Sequence, residues 1–272
     1  MTVIPTSSFI DLIKACPPAY LIAAGALLLI IMALAAFIVR YRLNRPARLG
    51  ARGERKVRRA LARLGRREYT MLHDLLIPTG YDYGKKCQRY TQIDHVVVST
   101  RGIFVIETKA HAGFISGMEE AKYWRQNFML RAQYLYNPLL QNATHIRTLL
   151  RKVGDIDPEW VTSIVVFTEA SQVRIVAEYE KKRHWWSAPR RRTLNPESST
   201  KGKWWRGTRA VRLDKKKVVL RLPVLVNEIS RRPRIIGRDE MKEIAGKIAA
   251  LNIKDKSARR RHVGNVKKLK GL

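Results

Sequence analysis

Residues 92–110 read QIDHVVVSTRGIFVIETKA, and this stretch decides the fold. Two runs rich in valine, isoleucine and phenylalanine flank residues 99–102, STRG, whose glycine can take a positive φ angle. The pattern predicts two short antiparallel strands joined by a tight turn. If the turn is centred between Thr100 and Arg101, residues whose numbers sum to 201 face each other across the two strands.

Three charged residues, Asp94, Glu107 and Lys109, interrupt these otherwise apolar strands. The expected register sets Asp94 opposite Glu107 with their Cβ atoms roughly 5 Å apart. Strand alternation returns Lys109 to the same face as Glu107. Two facing carboxylates repel each other unless a positive charge lies between them, which a metal ion or Lys109 would supply. The alternative is a structural Asp–Lys or Glu–Lys pair at a sheet edge, and the spacing alone leaves both interpretations open.

The composition limits the classes of protein to consider. In 272 residues, 54 Lys and Arg stand against 22 Asp and Glu, and the formal net charge of +32 indicates nucleic acid or anionic lipid as partners. The cysteines, Cys16 and Cys87, are far apart, so we expect no disulfide framework and a reducing compartment for the main body. The histidines show no zinc spacing, and no Gly-rich phosphate loop indicates a nucleotide-driven motor.

The N-terminal region is expected to anchor the chain in a membrane. Residues 19–39, AYLIAAGALLLIIMALAAFIV, are uncharged and would span roughly 30 Å as a helix. A cleaved signal peptide is the alternative, but the run is long and lacks a small-x-small cleavage site after it. The basic linker 40–49 predicts a single pass of a bacterial-type cytoplasmic membrane. Segment 1–18 would then lie outside and the main body in the cytoplasm.

Residues 50–68 predict a helix with one apolar and one basic face. Val57, Leu61 and Leu64 have helical spacing, and Gly65 is a plausible stop. Glu54 is the one acid in the first turns of this predicted helix. It either complements the helix dipole or belongs to the site on the strands. The opposite face carries the basic side chains of Arg55, Arg58, Arg59, Arg63 and Arg66.

The rest of the body predicts an α-β-β-β-α-β order. A first strand over 69–77 is expected to end at Pro78, followed by a polar loop up to residue 91. After the hairpin, 111–132 predicts a short strand pair or loop. Residues 136–153 predict a helix capped by Asn137, and 161–168 a buried strand.

The C-terminal third, 171–253, predicts an extension of the domain, with strand-like sequence at 218–230 and an amphipathic helix at 239–251. A basic insertion at 181–209 contains two Trp pairs, for which base stacking, burial at a lipid interface and packing in a hairpin all remain open. The tail 254–272 is basic and is expected to be disordered.

Taken together, these motifs resemble the nuclease-related domain family, NERD, within the restriction-endonuclease-like PD-(D/E)xK superfamily. The superfamily pattern is an Asp opening one strand and Glu-x-Lys in the next. The resemblance covers about residues 50–170, and an αβββαβ core is that superfamily's core. The segments that carry it are Gly53-Glu54, 92–95, 102–109, Trp124, Asn137-Pro138 with Gln141, and 165–167.

The resemblance implies a catalytic set of Asp94, Glu107, Lys109 and Glu54. Asp94 and Glu107 would bind Mg²⁺ or Mn²⁺, Glu54 would complete the metal site, and Lys109 would orient the attacking water or stabilise charge on the phosphate. The expected function is a membrane-anchored, Mg-dependent DNA nuclease that hydrolyses phosphodiester bonds. The alternative is a non-catalytic module that binds DNA or a protein at the membrane. RNA is the less expected substrate. His95 and His111 flank the site and either support it or pack at strand ends.

Overall fold

The computed structural model describes residues 17–43, 45–84, 86–129, 131–176, 211–212 and 216–269. The predictions for the insertion 181–209 and for nearly all of segment 1–18 lie outside the described residues. The chain divides into two compact units, residues 1–49 and 50–272.

The first unit contains helix α1 (Pro18–Leu43), and helix α2 (Arg45–Leu61) begins in it. Within the described residues no single helix meets the length and hydropathy requirements of a membrane span. The segments Gly25–Tyr41 and Arg45–Leu61 meet them only as a pair. The span over 19–39 stays a prediction.

The second unit is a mixed α/β fold with two sheets, which confirms the predicted class. The six-stranded sheet has the order β1-β2-β3-β7-β10-β9 and the four-stranded sheet the order β6-β5-β4-β8. The elements are β1 (Tyr69–Asp82), β2 (Cys87–Ser99), β3 (Gly102–Lys109), β4 (Gly113–Met118), β5 (Tyr123–Phe128), β6 (Arg131–Tyr136), α3 (Pro138–Val153), β7 (Val161–Phe167), β8 (Ala170–Val176), β9 (Val211–Arg212), β10 (Lys217–Arg221), α4 (Leu225–Ser230), α5 (Arg238–Ala250) and α6 (Lys256–Leu269).

The central hairpin has the predicted register. The β2–β3 pairs run from Ser99–Gly102 to His95–Ile106, and each pair sums to 201. On its other side β3 pairs with β7 in parallel, so β3 lies inside the sheet. Its apolar residues alternate between two cores. Ile103 and Val105 pack with α3 and α5, whereas Phe104 and Ile106 pack with α2 and the second sheet.

The turn of this hairpin depends on glycine. Gly102 has a φ of 120°, and a Cβ atom there would lie 2.8 Å from the carbonyl oxygen of Trp160. We expect Gly102→Ala to lower the free energy of unfolding by about 1–3 kcal/mol, measured by chemical denaturation. Gly65→Ala is the matched control, because a Cβ there meets nothing within 4 Å. Equal stability of the two variants would contradict this account of the turn.

Several boundaries were predicted wrongly. β1 continues through Pro78 to Asp82 because the chain absorbs the proline in a register shift, and the predicted loop before residue 91 shrinks to 83–86. Three strands, β4 to β6, stand between β3 and α3, so the αβββαβ order is interrupted. Only the first part of 218–230 is a strand, and α4 follows it.

The C-terminal tail was predicted to be disordered, and this was wrong for residues 256–269, which form α6. Ala258 is buried, and the Arg259 guanidinium contacts the Asp74 carboxylate at 2.6 Å and donates to its carbonyl oxygen at 3.0 Å. These contacts fix the start of α6 on β1. A charge count alone does not show that one arginine of a basic tail pairs with an acid on a distant strand.

Candidate active site

The buried carboxylate of Glu107 is the centre of the site. It lies near the end of β3 and is only 2% exposed. Lys109, two residues further along the strand, places its Nζ 2.6 Å from Glu107 Oε1. The same Nζ donates a hydrogen bond to Gln141 Oε1 on α3 at 2.8 Å. Glu107 and Lys109 are therefore together as predicted, and Lys109 is held from two sides.

His145 belongs to this cluster, although the sequence analysis did not select it. Its Nε2 is 3.4 Å from Glu107 Oε2, and its Nδ1 is 2.7 Å from the hydroxyl oxygen of Thr91. The contact with Glu107 lacks hydrogen-bond geometry, so Glu107 Oε2 is a buried oxygen without a hydrogen-bond partner in the described chain. The signal that would have found His145 is its spacing of four from Gln141, which places both on one helix face.

Two asparagines fix α3 against the sheet. Asn137 caps the helix as predicted, because its Oδ1 accepts from the Leu139 amide at 2.9 Å. Asn142 Nδ2 donates to the Val105 carbonyl and to the Ser163 hydroxyl, each at 2.8 Å. These bonds tie the helix to β3 and β7. Gln141 and His145 are thereby kept beside Glu107.

Asp94 lies next to the pair, where the β2–β3 ladder ends. The expected register would set it opposite Glu107, but the last pair of the ladder is His95–Ile106. The Asp94 carboxylate itself accepts a hydrogen bond from the Thr108 amide at 2.8 Å. Burial first and the Glu107 charge second raise the pKa of Asp94 well above its ordinary value, despite this bond.

Glu107 has the opposite shift. Burial is the largest influence and opposes ionisation, but the Lys109 ammonium and His145 together hold the pKa of Glu107 below its ordinary value. The pKa values of the two neighbouring carboxylates thus shift in opposite directions. Glu107 is shifted toward the charged form and Asp94 toward the protonated form. Such a split is typical of functional acid pairs, although ion-pair networks also produce it.

Glu54 approaches the site from α2. The approach depends on Gly53, where a Cβ atom would lie 3.0 Å from Ala110 Cβ and 3.1 Å from Thr168 Oγ1. The helix begins at Arg45, so Glu54 is in its interior and the helix-dipole interpretation is wrong. Burial, then the Asp74 and Glu107 charges, raise the pKa of Glu54.

Asp74 is a fourth acid near the site, and the sequence analysis missed it. It lies on β1 between the pairs His73–His95 and Leu75–Ile93, which is the position opposite Asp94. Its φ angle is 54°, in the left-handed region that aspartate tolerates better than most residues. Its carboxylate accepts from Gln92 Nε2 at 2.8 Å and pairs with Arg259. No sequence pattern predicts a residue with a positive φ angle in the middle of this strand.

The residues fit a magnesium ion held by two carboxylates. No group of three or more His, Cys, Asp or Glu side chains suited to a metal occurs in the part of the chain that the structure describes. Mg²⁺, however, commonly takes one or two carboxylates and completes its shell with water and phosphate. Asp94 and Glu107 supply hard oxygens, and Glu107 Oε2 is a buried acceptor with no hydrogen bond. Glu54 as a third ligand stays a prediction.

The two flanking histidines have other partners. His95 Nδ1 is 2.9 Å from Nδ1 of His73 across the β1–β2 ladder. Burial, together with His73 and Arg58, lowers the pKa of His95 to about 3, so it is neutral at physiological pH. His111 Nδ1 lies 3.0 Å from Gln126 Oε1 on β5. Both contacts favour the interpretation of packing at strand ends.

The comparisons with known proteins agree with the motifs. Residues 49–168 match the model of the family described as the nuclease-related domain. An uncharacterised protein of Bacillus anthracis is 33% identical over 135 residues, which are 50% of this chain and 60% of that relative. The chain thus spans about 60% of the length of the curated relative that it matches. No solved structure is detectably similar to the chain.

Proposed function

Because residues 49–168 of this chain belong to the nuclease-related domain family, we propose that the protein is a membrane-anchored, Mg-dependent nuclease that hydrolyses phosphodiester bonds in DNA. The observation that carries the proposal is the cluster of Asp94, Glu107 and Lys109 at the end of β3. A carboxylate as buried as Glu107 is costly to keep ionised. The chain nevertheless places it at a strand end, beside a second acid and a lysine held by α3. Two acids and a lysine can hold a metal ion and stabilise negative charge on a phosphate.

Each residue of the cluster has a distinct task in this mechanism. Asp94 and Glu107 would hold the ion, and bound Mg²⁺ would polarise a phosphoryl oxygen and lower the pKa of a coordinated water. Asp94, whose pKa is raised, would have to be ionised to hold the ion, with its proton released to solvent. Lys109 Nζ would turn from Glu107 Oε1 toward the phosphate and stabilise the developing negative charge. Gln141, which accepts a hydrogen bond from this ammonium, would orient it.

Substrate binding is proposed to depend on the basic face of α2. Arg52, Arg55, Arg58 and Arg59 are exposed on the helix that also carries Glu54, so phosphates bound there would lie near the site. An interface of this kind releases counterions, and its affinity falls steeply as salt concentration rises.

Anchoring is supported by α1. Its uncharged stretch exposes large apolar side chains, among them Leu27, Leu29, Ile31 and Phe37. The arginines after it favour a cytoplasmic body and an extracytoplasmic N-terminus. Alkaline extraction of membranes from expressing cells tests this. The chain is expected to stay in the membrane pellet, and its release into the supernatant would contradict anchoring.

The test of the activity uses the full chain in detergent micelles with labelled DNA and RNA oligonucleotides of one sequence. We expect the DNA to be cut in Mg²⁺ and both strands to stay intact in EDTA. Cleavage of RNA in preference to DNA would show that the substrate class is wrong.

The alternative, a non-catalytic DNA-binding or protein-interaction module, also has an observation in its favour. Lys109 and Glu107 form a close ion pair, and no three-acid metal group occurs among the described residues. In this case DNA would bind in a salt-sensitive manner and remain uncut with Mg²⁺ or Mn²⁺. That result in the same assay would replace the nuclease proposal with the binding module.

A further inference from the structure

The four-stranded sheet has one buried and one outward face. On the buried face Trp124 of β5 stacks on Phe167, with ring centroids 6.4 Å apart, and donates to the Met118 carbonyl at 2.9 Å. Gly117 makes room for this ring, because a Cβ atom there would lie 2.2 Å from it. Leu135 of β6, the partner of Trp124 across the strands, is also buried. The neighbouring residues of β5 and β6 must therefore point away from the core.

Three tyrosines occupy this outward face, and packing accounts for only part of their presence. Tyr123 and Tyr136 are opposite each other and form an edge-to-face ring pair with centroids 6.2 Å apart, which stabilises a hairpin. About half of each side chain is nevertheless exposed. Tyr134 is 75% exposed and stands opposite Arg125 rather than another ring. Packing within the hairpin therefore does not explain why an aromatic ring is at this position.

The charge around the tyrosines is positive. Residues 123–136 contain no acid, and Lys122, Arg125 and Arg131 are exposed. Lys122 Nζ lies 5.4 Å from the centre of the Tyr123 ring, and no ion pair in the described chain engages these three cations. The nearest acids along the chain are Glu119 and Glu120, and Glu119 pairs with Lys217. An aromatic surface surrounded by free cations is complementary to bases and phosphates together.

We propose that this face, formed by Tyr123, Tyr134, Tyr136 and Arg125, is a second nucleic-acid site that binds single-stranded nucleic acid by base stacking. Exposed rings on a sheet stack on unpaired bases but cannot reach the stacked bases of a duplex. The site is separate from the Glu107 cluster and takes no part in the chemistry. It would hold a strand that has been opened or cut. Only three residues separate Lys109 from the first strand of this sheet.

The test is binding of the full chain in detergent micelles to a labelled single strand of about 12 nucleotides, in EDTA so that cleavage plays no part. Binding is measured separately for a DNA strand and an RNA strand. We expect Tyr134→Ala to raise the Kd for the single strand by about 5- to 150-fold, and the Kd for the matching duplex by much less. Tyr134→Phe should restore binding because the ring is kept. Tyr83→Ala is the control, since Tyr83 is 84% exposed but lies in the turn between β1 and β2, outside the four-stranded sheet.

Several results would overturn the proposal. Unchanged affinity of Tyr134→Ala for the single strand would do so, as would an equal loss for single strand and duplex. If Tyr134→Ala binds anionic vesicles less tightly than the wild type but binds DNA equally well, the face contacts lipid. A change in oligomeric state measured by sedimentation, with DNA binding intact, would show that a second copy of the chain covers it.

Discussion

Asp94→Asn is expected to abolish DNA cleavage while making the protein more stable. The loss of activity should be about 10³-fold, because a carboxylate that holds the metal ion supports several kcal/mol of transition-state stabilisation. The gain in stability should be about 0.5–2 kcal/mol at pH 7 in EDTA, within the range of typical stabilising substitutions at functional sites. Asparagine keeps an oxygen that accepts the hydrogen bond from the Thr108 amide.

The direction of the stability change follows from the pKa of Asp94. Burial and the Glu107 charge raise this pKa in the folded protein, so folding favours the protonated carboxyl. Protonated Asp94 therefore contributes fully to the stability of the wild type below the ordinary aspartate pKa, about 3.9, and this contribution is lost as the pH rises through the raised value. Asparagine is neutral at every pH, so the variant does not lose stability in this way. The stability difference between variant and wild type should shrink toward about pH 4.

Chemical denaturation and a plasmid assay on the same preparations measure both effects. Asp239→Asn is the matched control, because its carboxylate is almost fully exposed and lies on α5. This control should cleave DNA at the wild-type rate, and its free energy of unfolding should stay within about 0.5 kcal/mol of the wild-type value. An Asp94→Asn protein that is both inactive and markedly less stable would assign Asp94 a structural role instead.

Lys109→Met is expected to impair both activity and stability. Cleavage should fall by about 10²- to 10³-fold, as when one positioned donor to a developing charge is removed. Stability should fall by about 2–5 kcal/mol, because the buried Glu107 carboxylate would lose its lysine partner and keep only the His145 contact to offset its charge. Methionine matches the length of the lysine stem, so packing along β3 is kept. Lys242→Met, at an exposed ion pair, is the control.

A second substitution separates the two effects of Lys109→Met. In the double variant with Glu107→Gln, the buried charge is removed together with its partner, so most of the lost stability should return. Activity should stay absent, because neither residue can then serve the reaction. If the double variant is as unstable as the single one, the Lys109–Glu107 contact at 2.6 Å does not explain the stability loss.

The sequence predicts the hairpin well because its physical causes are local. A glycine-containing turn and strand periodicity suffice to set the β2–β3 register. The same holds for α3, whose cap residue and first-turn proline are adjacent in the chain. The match of residues 49–168 to the nuclease-related domain model also follows from motifs that lie within the segment.

The parts that were missed depend on contacts between distant residues. Asp74 reaches the site through a local irregularity in β1 and is held by Arg259, far along the chain. His145 joins the cluster only because α3 packs on β3. The short strand pair that was one alternative for 111–132 is present as β4 and β5, but the full second sheet was missed. In that sheet β4 and β8 pair in parallel across a long separation, and no short pattern encodes such a pairing.

The most direct test of the central claim is the conversion of supercoiled plasmid by full-length protein in detergent micelles with Mg²⁺. Wild type and Asp239→Asn should both nick or linearise the plasmid, and EDTA should stop them. Asp94→Asn and Lys109→Met should leave the plasmid supercoiled while still binding it at low salt. Cleavage by these two variants at the wild-type rate would contradict an active site at Asp94, Glu107 and Lys109.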